Sequence, residues 1–219
     1  MHRYIASLAN KLPSQPCQLH NHLVLRRNQA GHILRPPCQV FINHRGTDTK
    51  RNVAGLIYHY LALHGLHPFL DSQTMRPGEK LHDRINDAIH ECRVGITLFS
   101  PRYCESPYCL HELALLTETG KRLVPIFCDV QPSKLRVLDF SGRWPEKQSK
   151  RFGLALEEAR STVGLTFNTA TGDWSKLLRD TLEAVMRTVY ELDQEQDHGW
   201  PNHSPPYYTA TTEAISISS

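Results

Sequence analysis

A chain of 219 residues, 40% hydrophobic and 21% charged, holds one domain of ordinary size plus tails and has the apolar content for a real core. Its formal charge is only +3, and its 25 Lys and Arg are interleaved with acids through the middle of the chain, which argues against a nucleic-acid partner. No apolar run approaches the roughly 20 residues of a membrane span. The six cysteines (17, 38, 92, 104, 109 and 128) follow no regular spacing, and several lie inside apolar periodic segments. They read as reduced intracellular thiols rather than as a disulfide framework.

Residues 1–37 hold five Lys and Arg but no acid, and the first acid is Asp48. Pro13, Pro16 and the Pro36-Pro37 pair make this segment a disordered arm, with a transit peptide as the competing reading. Strand 39–43, "QVFIN", opens the folded unit. A helix follows from Thr49, with Val53, Leu56, Ile57, Tyr60, Leu61 and His64 on one stripe and Gly65 as its C′ glycine. A brief strand at 68–70 leads into the turn-rich "DSQTMRPGEK". A second helix carries Leu81, Ile85, Ala88, Ile89 and Cys92. The nearly all-apolar 94–99 reads as a central parallel strand covered on both faces.

The next segment, "SPRYCESPYCLHEL" (100–113), runs into a third helix with Leu110, Leu113, Ala114 and Thr117 on one side. A fourth strand at 123–127, a helix around 147–161, a fifth strand at 164–168 and a helix from Trp174 to Leu192 complete the unit. Residues 193–219, rich in Pro, Ser and Thr, read as a disordered tail. The folded domain is therefore expected at 38–192. Five strands alternating with five helices predict an open α/β fold, a flavodoxin-like five-stranded parallel sheet flanked by helices. Ligands of such folds sit beyond the carboxyl ends of the strands, where the 100–113 segment falls.

That segment admits several chemistries. Cys109 and His111 are two apart, roughly 200° around a helix, and cannot share one metal ion; Cys104-x4-Cys109 is no common zinc spacing, so no metal site is expected. A Cys nucleophile lacks an orienting partner. Ser106-Pro107 reads as N-cap and N1, which places Glu112 in the second turn, off the apolar stripe. Tyr108, four residues earlier, shares its side of the helix and offers a flat ring beside the carboxylate. Such a pair suits a ribosyl group whose glycosidic bond breaks through a cation-like state, whereas the pattern alone favours a solvated surface acid, as most helix Glu are. In the first βα loop Arg45-Gly46 is either a phosphate dock or a turn.

Over roughly 38–192 the chain resembles the plant-type Toll/interleukin-1 receptor (TIR) domain. The resemblance is carried by "VFINHRGTDTK" (40–50), "HGLHPFLD" (64–71), "PGEKLHDRINDAIHECRVGITLFSPRYCESPYCLHEL" (77–113) and "LVPIFCDVQPSKLR" (123–136). It implies a flavodoxin-like sheet and NAD⁺ nucleosidase activity, which releases nicotinamide and yields ADP-ribose-type or cyclic ADP-ribose-type immune signals. NAD⁺ is then the substrate, with no cofactor. The family's Ser, Tyr, Ser, Trp-Cys-Leu, any residue, Glu-Leu pattern falls on Ser100, Tyr103, Ser106, Tyr108-Cys109-Leu110, His111, Glu112-Leu113. Glu112 inherits the catalytic role, and Arg45, Gly46, Tyr108 and Cys109 the nucleotide contacts.

The resemblance also implies other TIR domains as partners, with 72–78 contacting a neighbouring domain, and a TIR-only chain in the cytoplasm or nucleus. Departures are Tyr108 for Trp, His44 for Phe, Thr47 for Glu, Pro77 for a basic residue, and Gly55-Leu56 for the Ser-His pair used in self-association. A non-enzymatic adaptor or decoy acting through TIR–TIR contacts is the alternative function.

Overall fold

A computed structural model of the chain describes residues 38–49, 53–137 and 144–197. The basic arm 1–37 and the segment 198–219 lie outside the described residues. Five parallel strands, β1 (Val40–His44), β2 (Pro68–Phe69), β3 (Val94–Phe99), β4 (Arg122–Cys128) and β5 (Leu165–Phe167), pair in the order β2-β1-β3-β4-β5. Five helices connect and close them: α1 (Gly55–Leu63), α2 (Leu81–Glu91), α3 (Pro107–Glu118), α4 (Glu146–Ser161) and α5 (Trp174–Asp197). Single helical turns occupy Gly46–Thr49 and Asp71–Thr74. The strand order is the flavodoxin-like one, and its switch point lies between β1 and β3.

Each face of the sheet has its own core. On one face Val40, Ile42, Ile96, Leu98 and Ile126 pack against Ile57 and Leu61 of α1 and Leu177 and Val185 of α5. On the other, Phe99 and Phe127 meet Leu110 and Leu113 of α3 and Phe152 of α4, and Phe41 and Phe69 meet Ile85 and Ile89 of α2. Burial on both sides explains why β1 and β3 read as continuous apolar runs. Gly95 brings α3 close, because a Cβ there would stand 2.9 Å from Leu116 Cδ2. Gly65, at φ 81°, is the helix-ending glycine expected from the sequence. Its N–H donates to Ala62 O and that of Leu66 to Leu61 O, which satisfies the last carbonyls of α1.

Two expectations need correction. The α1 stripe is narrower than its spacing suggests: Val53, Ile57 and Leu61 are buried, while Leu56 and His64 are exposed. Only a narrow stripe of the helix meets the sheet, and α5 closes beside it. The last helix also runs to Asp197, past the expected boundary at 192. Asp193 pairs with Arg93 and Glu195 with Arg122, so ion pairs to the starts of β3 and β4 hold a turn whose sequence carries no apolar period. Among the described residues no helix is long and apolar enough to cross a membrane.

Candidate active site

The loops after β1 and β3 and the start of α3 meet beyond the carboxyl edge of the sheet. Ser106 caps α3, its Oγ accepting from the Cys109 N–H at 3.3 Å, and Pro107 occupies the first turn without an N–H to lose. This start is the one the sequence predicts, and it sets the phase of the whole helix. Leu110, Leu113 and Ala114 face the core, and Glu112 falls on the flank.

A buried polar cluster locks the first turn of α3 to β1. Asn43, at the end of β1 and fully buried, donates from Nδ2 to Cys109 O at 3.0 Å. The Tyr103 hydroxyl lies 2.9 Å from Asn43 Oδ1 and 3.0 Å from Cys109 O, within reach of either acceptor. The ring of Tyr103 meets Phe99 edge-on at 4.7 Å. Burial, first of all, pushes the Tyr103 phenol well above its ordinary range, so the hydroxyl stays a donor.

Glu112 itself is partly buried. No group among the described residues donates a hydrogen bond to it. Loss of hydration, with the charge of Asp71 added, pushes its carboxyl from an ordinary 4.5 up to about 8. The Asp71–Thr74 turn and the first turn of α2 therefore lie beside α3. On that side of α3 Tyr108 is exposed at 61%, its ring stacked on His82 of α2 with centroids 5.6 Å apart and planes 26° apart. His111 is engaged by α4 instead, its Nδ1 accepting from Arg151 Nη1 at 3.0 Å.

The raised carboxyl has a consequence for stability. A group that binds its proton more tightly folded than unfolded stabilises the fold at low pH, and that stabilisation fades as pH rises from 4.5 through about 8. The free domain is expected to lose melting temperature over this window, and Glu112→Gln to flatten the loss. Melting curves at half-unit pH steps check it, and parallel slopes for the two proteins would refute it.

Arg45 follows β1 directly and is tied down. It donates from Nη1 to Thr47 Oγ1 at 2.9 Å and from Nη2 to Glu105 Oε2 at 3.3 Å, with Asp48 Oδ1 3.6 Å away. Ser100 Oγ in turn donates to Asp48 Oδ2 at 2.7 Å, so the loops after β1 and β3 are joined. Gly46 opens the single turn that follows and is exposed.

Of the residues expected to form the site, Glu112 and Tyr108 lie on one flank of α3, and Arg45 and Gly46 line the neighbouring loop. Cys109 corrects the expectation of a nucleotide contact. Its side chain is 4% exposed, its Sγ donates to His44 O at 3.3 Å, and burial pushes the thiol up to about 12. It packs as an inert thiol beneath the start of α3. Cys38, Cys92, Cys104 and Cys128 are likewise free and buried. No group of three or more His, Cys, Asp or Glu able to hold a metal occurs among the described residues.

Sequence reasoning missed Asn43, Asp71 and His82 as parts of the site. Asn43 had one available signal, a polar residue ending an otherwise apolar strand. A recess of about 610 Å³ lies at the β2 edge, its lining including Arg76, Glu79, Arg84 and Glu91. Neither Glu112 nor Tyr108 lines it.

A five-stranded parallel sheet in this order, with a desolvated acid on the helix after the third strand, matches the TIR class, and the comparisons agree. The chain belongs to the TIR-domain family, whose model matches residues 40–154. It is 47% identical over 161 residues to the "Probable 2' cyclic ADP-D-ribose synthase BdTIR" of Brachypodium distachyon, covering 72% of each chain. It is 32% identical over 165 residues to disease resistance protein RUN1 of Vitis rotundifolia, covering 68% of this chain but only 12% of that longer protein. Among solved structures, the TIR domains of the activated Roq1 resistosome, which directly recognises the pathogen effector XopQ, match with a TM-score of 0.61. They are 29% identical, over 68% of this chain and 99% of theirs.

Proposed function

We propose that this TIR domain cleaves NAD⁺ at the bond between nicotinamide and ribose, releasing nicotinamide and ADP-ribose-type or cyclic ADP-ribose-type products that serve innate immune and cell-death signalling. The observation that carries the reading is Glu112, a carboxyl held short of hydration, given no hydrogen bond by any described residue and one helical turn from the exposed Tyr108 ring. The likeness to a relative named as a cyclic ADP-ribose synthase supports it.

The reaction separates charge along the glycosidic bond. Nicotinamide leaves with the bonding pair, its ring nitrogen losing the positive charge that the ribose carbon gains. An ionised Glu112 beside that ribose stabilises the developing cation, and it does so strongly because little water competes for its charge. In the free domain the carboxyl holds its proton at neutral pH, whereas the cationic nicotinamide ring of the substrate favours the carboxylate. The water or ribose hydroxyl that attacks the cation releases one proton, so the step balances without metal or redox partner. Arg45 and Gly46 hold the pyrophosphate, Tyr108 stacks against a ring of the dinucleotide, and Cys109 supports that wall from beneath. Association with further TIR domains through the 72–78 segment completes the site. The resistosome form of the Roq1 relative favours assembly.

The test is the pH dependence of kcat/KM, which reports the free enzyme. Its rising limb is expected to centre near the Glu112 value of about 8. Asp71→Asn, which removes the neighbouring negative charge, shifts the limb to lower pH. A limb that ignores Asp71→Asn, or an activity that falls over this range, would overturn the assignment of Glu112 as the working carboxylate.

A further inference from the structure

Among the described residues, the stack of His82 on Tyr108 is the one aromatic pair that joins two different helices while both rings stay exposed. The other inter-element pairs, such as Phe41–Phe69 and Phe99–Phe127, close inside the cores. An exposed pair of rings adds little to folding, since both stay half in water. Its position adds more. Tyr108 lies four residues before Glu112, about 6 Å along the helix and on the same side. His82 sits in the first turn of α2, against the first turn of α3.

The planes of the two rings are 26° apart, close enough to parallel that a third flat ring continues the column. An unsupported tyrosine ring on a helix surface swings between rotamers and must be fixed each time a ligand stacks on it. With His82 behind it, the Tyr108 ring is held in one plane before the ligand arrives.

We infer that His82 is a substrate-positioning residue, fixing Tyr108 as one face of a column that takes a flat heteroaromatic ring of the dinucleotide next to Glu112. It acts through Tyr108 and not on the reacting atoms, and it rests on the NAD⁺-cleaving reading. The ring is either nicotinamide or adenine, which share the π-face the column recognises. The tyrosine that stands here for the family's tryptophan has less stacking area of its own, and the histidine from α2 makes up for it.

Removal of His82 therefore weakens binding and spares the chemical step. For His82→Ala, KM for NAD⁺ rises about tenfold, at the scale of one lost aromatic stack, and kcat stays within about threefold. His82→Phe restores KM, since a flat ring and not a proton is what the position supplies. Inhibition by ADP-ribose, which carries adenine alone, and by nicotinamide identifies the ring: the inhibitor that weakens in His82→Ala is the one the column holds.

Calorimetric titration of ADP-ribose and of nicotinamide into wild type and His82→Ala reads the same column without turnover. A wild-type protein that binds but releases no nicotinamide ends the enzymatic reading, and the column then stands or falls on the change in Kd. Unchanged KM and Kd in His82→Ala, or a His82→Phe protein as weak as His82→Ala, would overturn the inference.

Discussion

Replacing Glu112 by alanine is expected to lower nicotinamide release from NAD⁺ by at least about a hundredfold, the scale on which a preorganised electrostatic group works. The fold should survive the change. Glu112 lies off the core stripe of α3, and no hydrogen bond among the described residues depends on it. Because its carboxyl is pushed up to about 8, the ionised group opposes folding at high pH. At pH 9 the alanine protein should therefore melt no lower than wild type. Loss of activity at undiminished melting temperature separates a catalytic residue from a structural one. Equal nicotinamide release by the two proteins would remove Glu112 from the reaction. If the folded variant also signalled normally, the adaptor reading would replace the enzymatic one.

The second large effect belongs to Tyr103, which touches no substrate in this scheme. Tyr103→Ala removes a fully buried ring that meets Phe99 edge-on, together with the hydroxyl shared by Asn43 and Cys109. Large-to-small changes of this kind cost about 3–5 kcal/mol. In a domain of this size that corresponds to a fall in melting temperature of roughly 10 °C or more. Tyr103→Phe keeps the ring and leaves Asn43 Oδ1 without its donor, for a loss of about 1–3 kcal/mol. The two variants divide packing from polar locking. Denaturant melts measure both, and a phenylalanine protein as stable as wild type would show that the Asn43–Tyr103 contact contributes nothing.

The strands and helices were legible because burial on both faces leaves little room for ambiguity. Runs such as Val94–Phe99 have no polar residue on either side of the pleat except Thr97, and both cores explain why. The start of α3 was legible for a local reason: Ser106 and Pro107 cap the helix from within four residues, so no tertiary knowledge is needed. Glu112 was legible only as a carboxylate in the right phase. Its perturbation comes from burial and from Asp71, forty-one positions earlier, and periodicity carries neither.

His82 gave no local signal, since it is an exposed histidine on a polar helix face whose partner lies on another helix. Cys109 shows the opposite error. The family resemblance implied a binding role, whereas β1 and α3 close over its side chain. The segment beyond Leu192 misled for a similar reason, because the arginines that hold it lie at the starts of β3 and β4.

Those arginines also decide how the domain can be held. Arg93 and Arg122 draw the end of α5 to the amino edge of the sheet, and Cys38, just before β1, lies at that same edge. Both ends of the described unit thus leave from the side opposite Glu112. A domain anchored at either end, to a bead, a partner or a fused protein, presents the rim that carries Glu112 and Tyr108 outward, with no need to thread a tether past it.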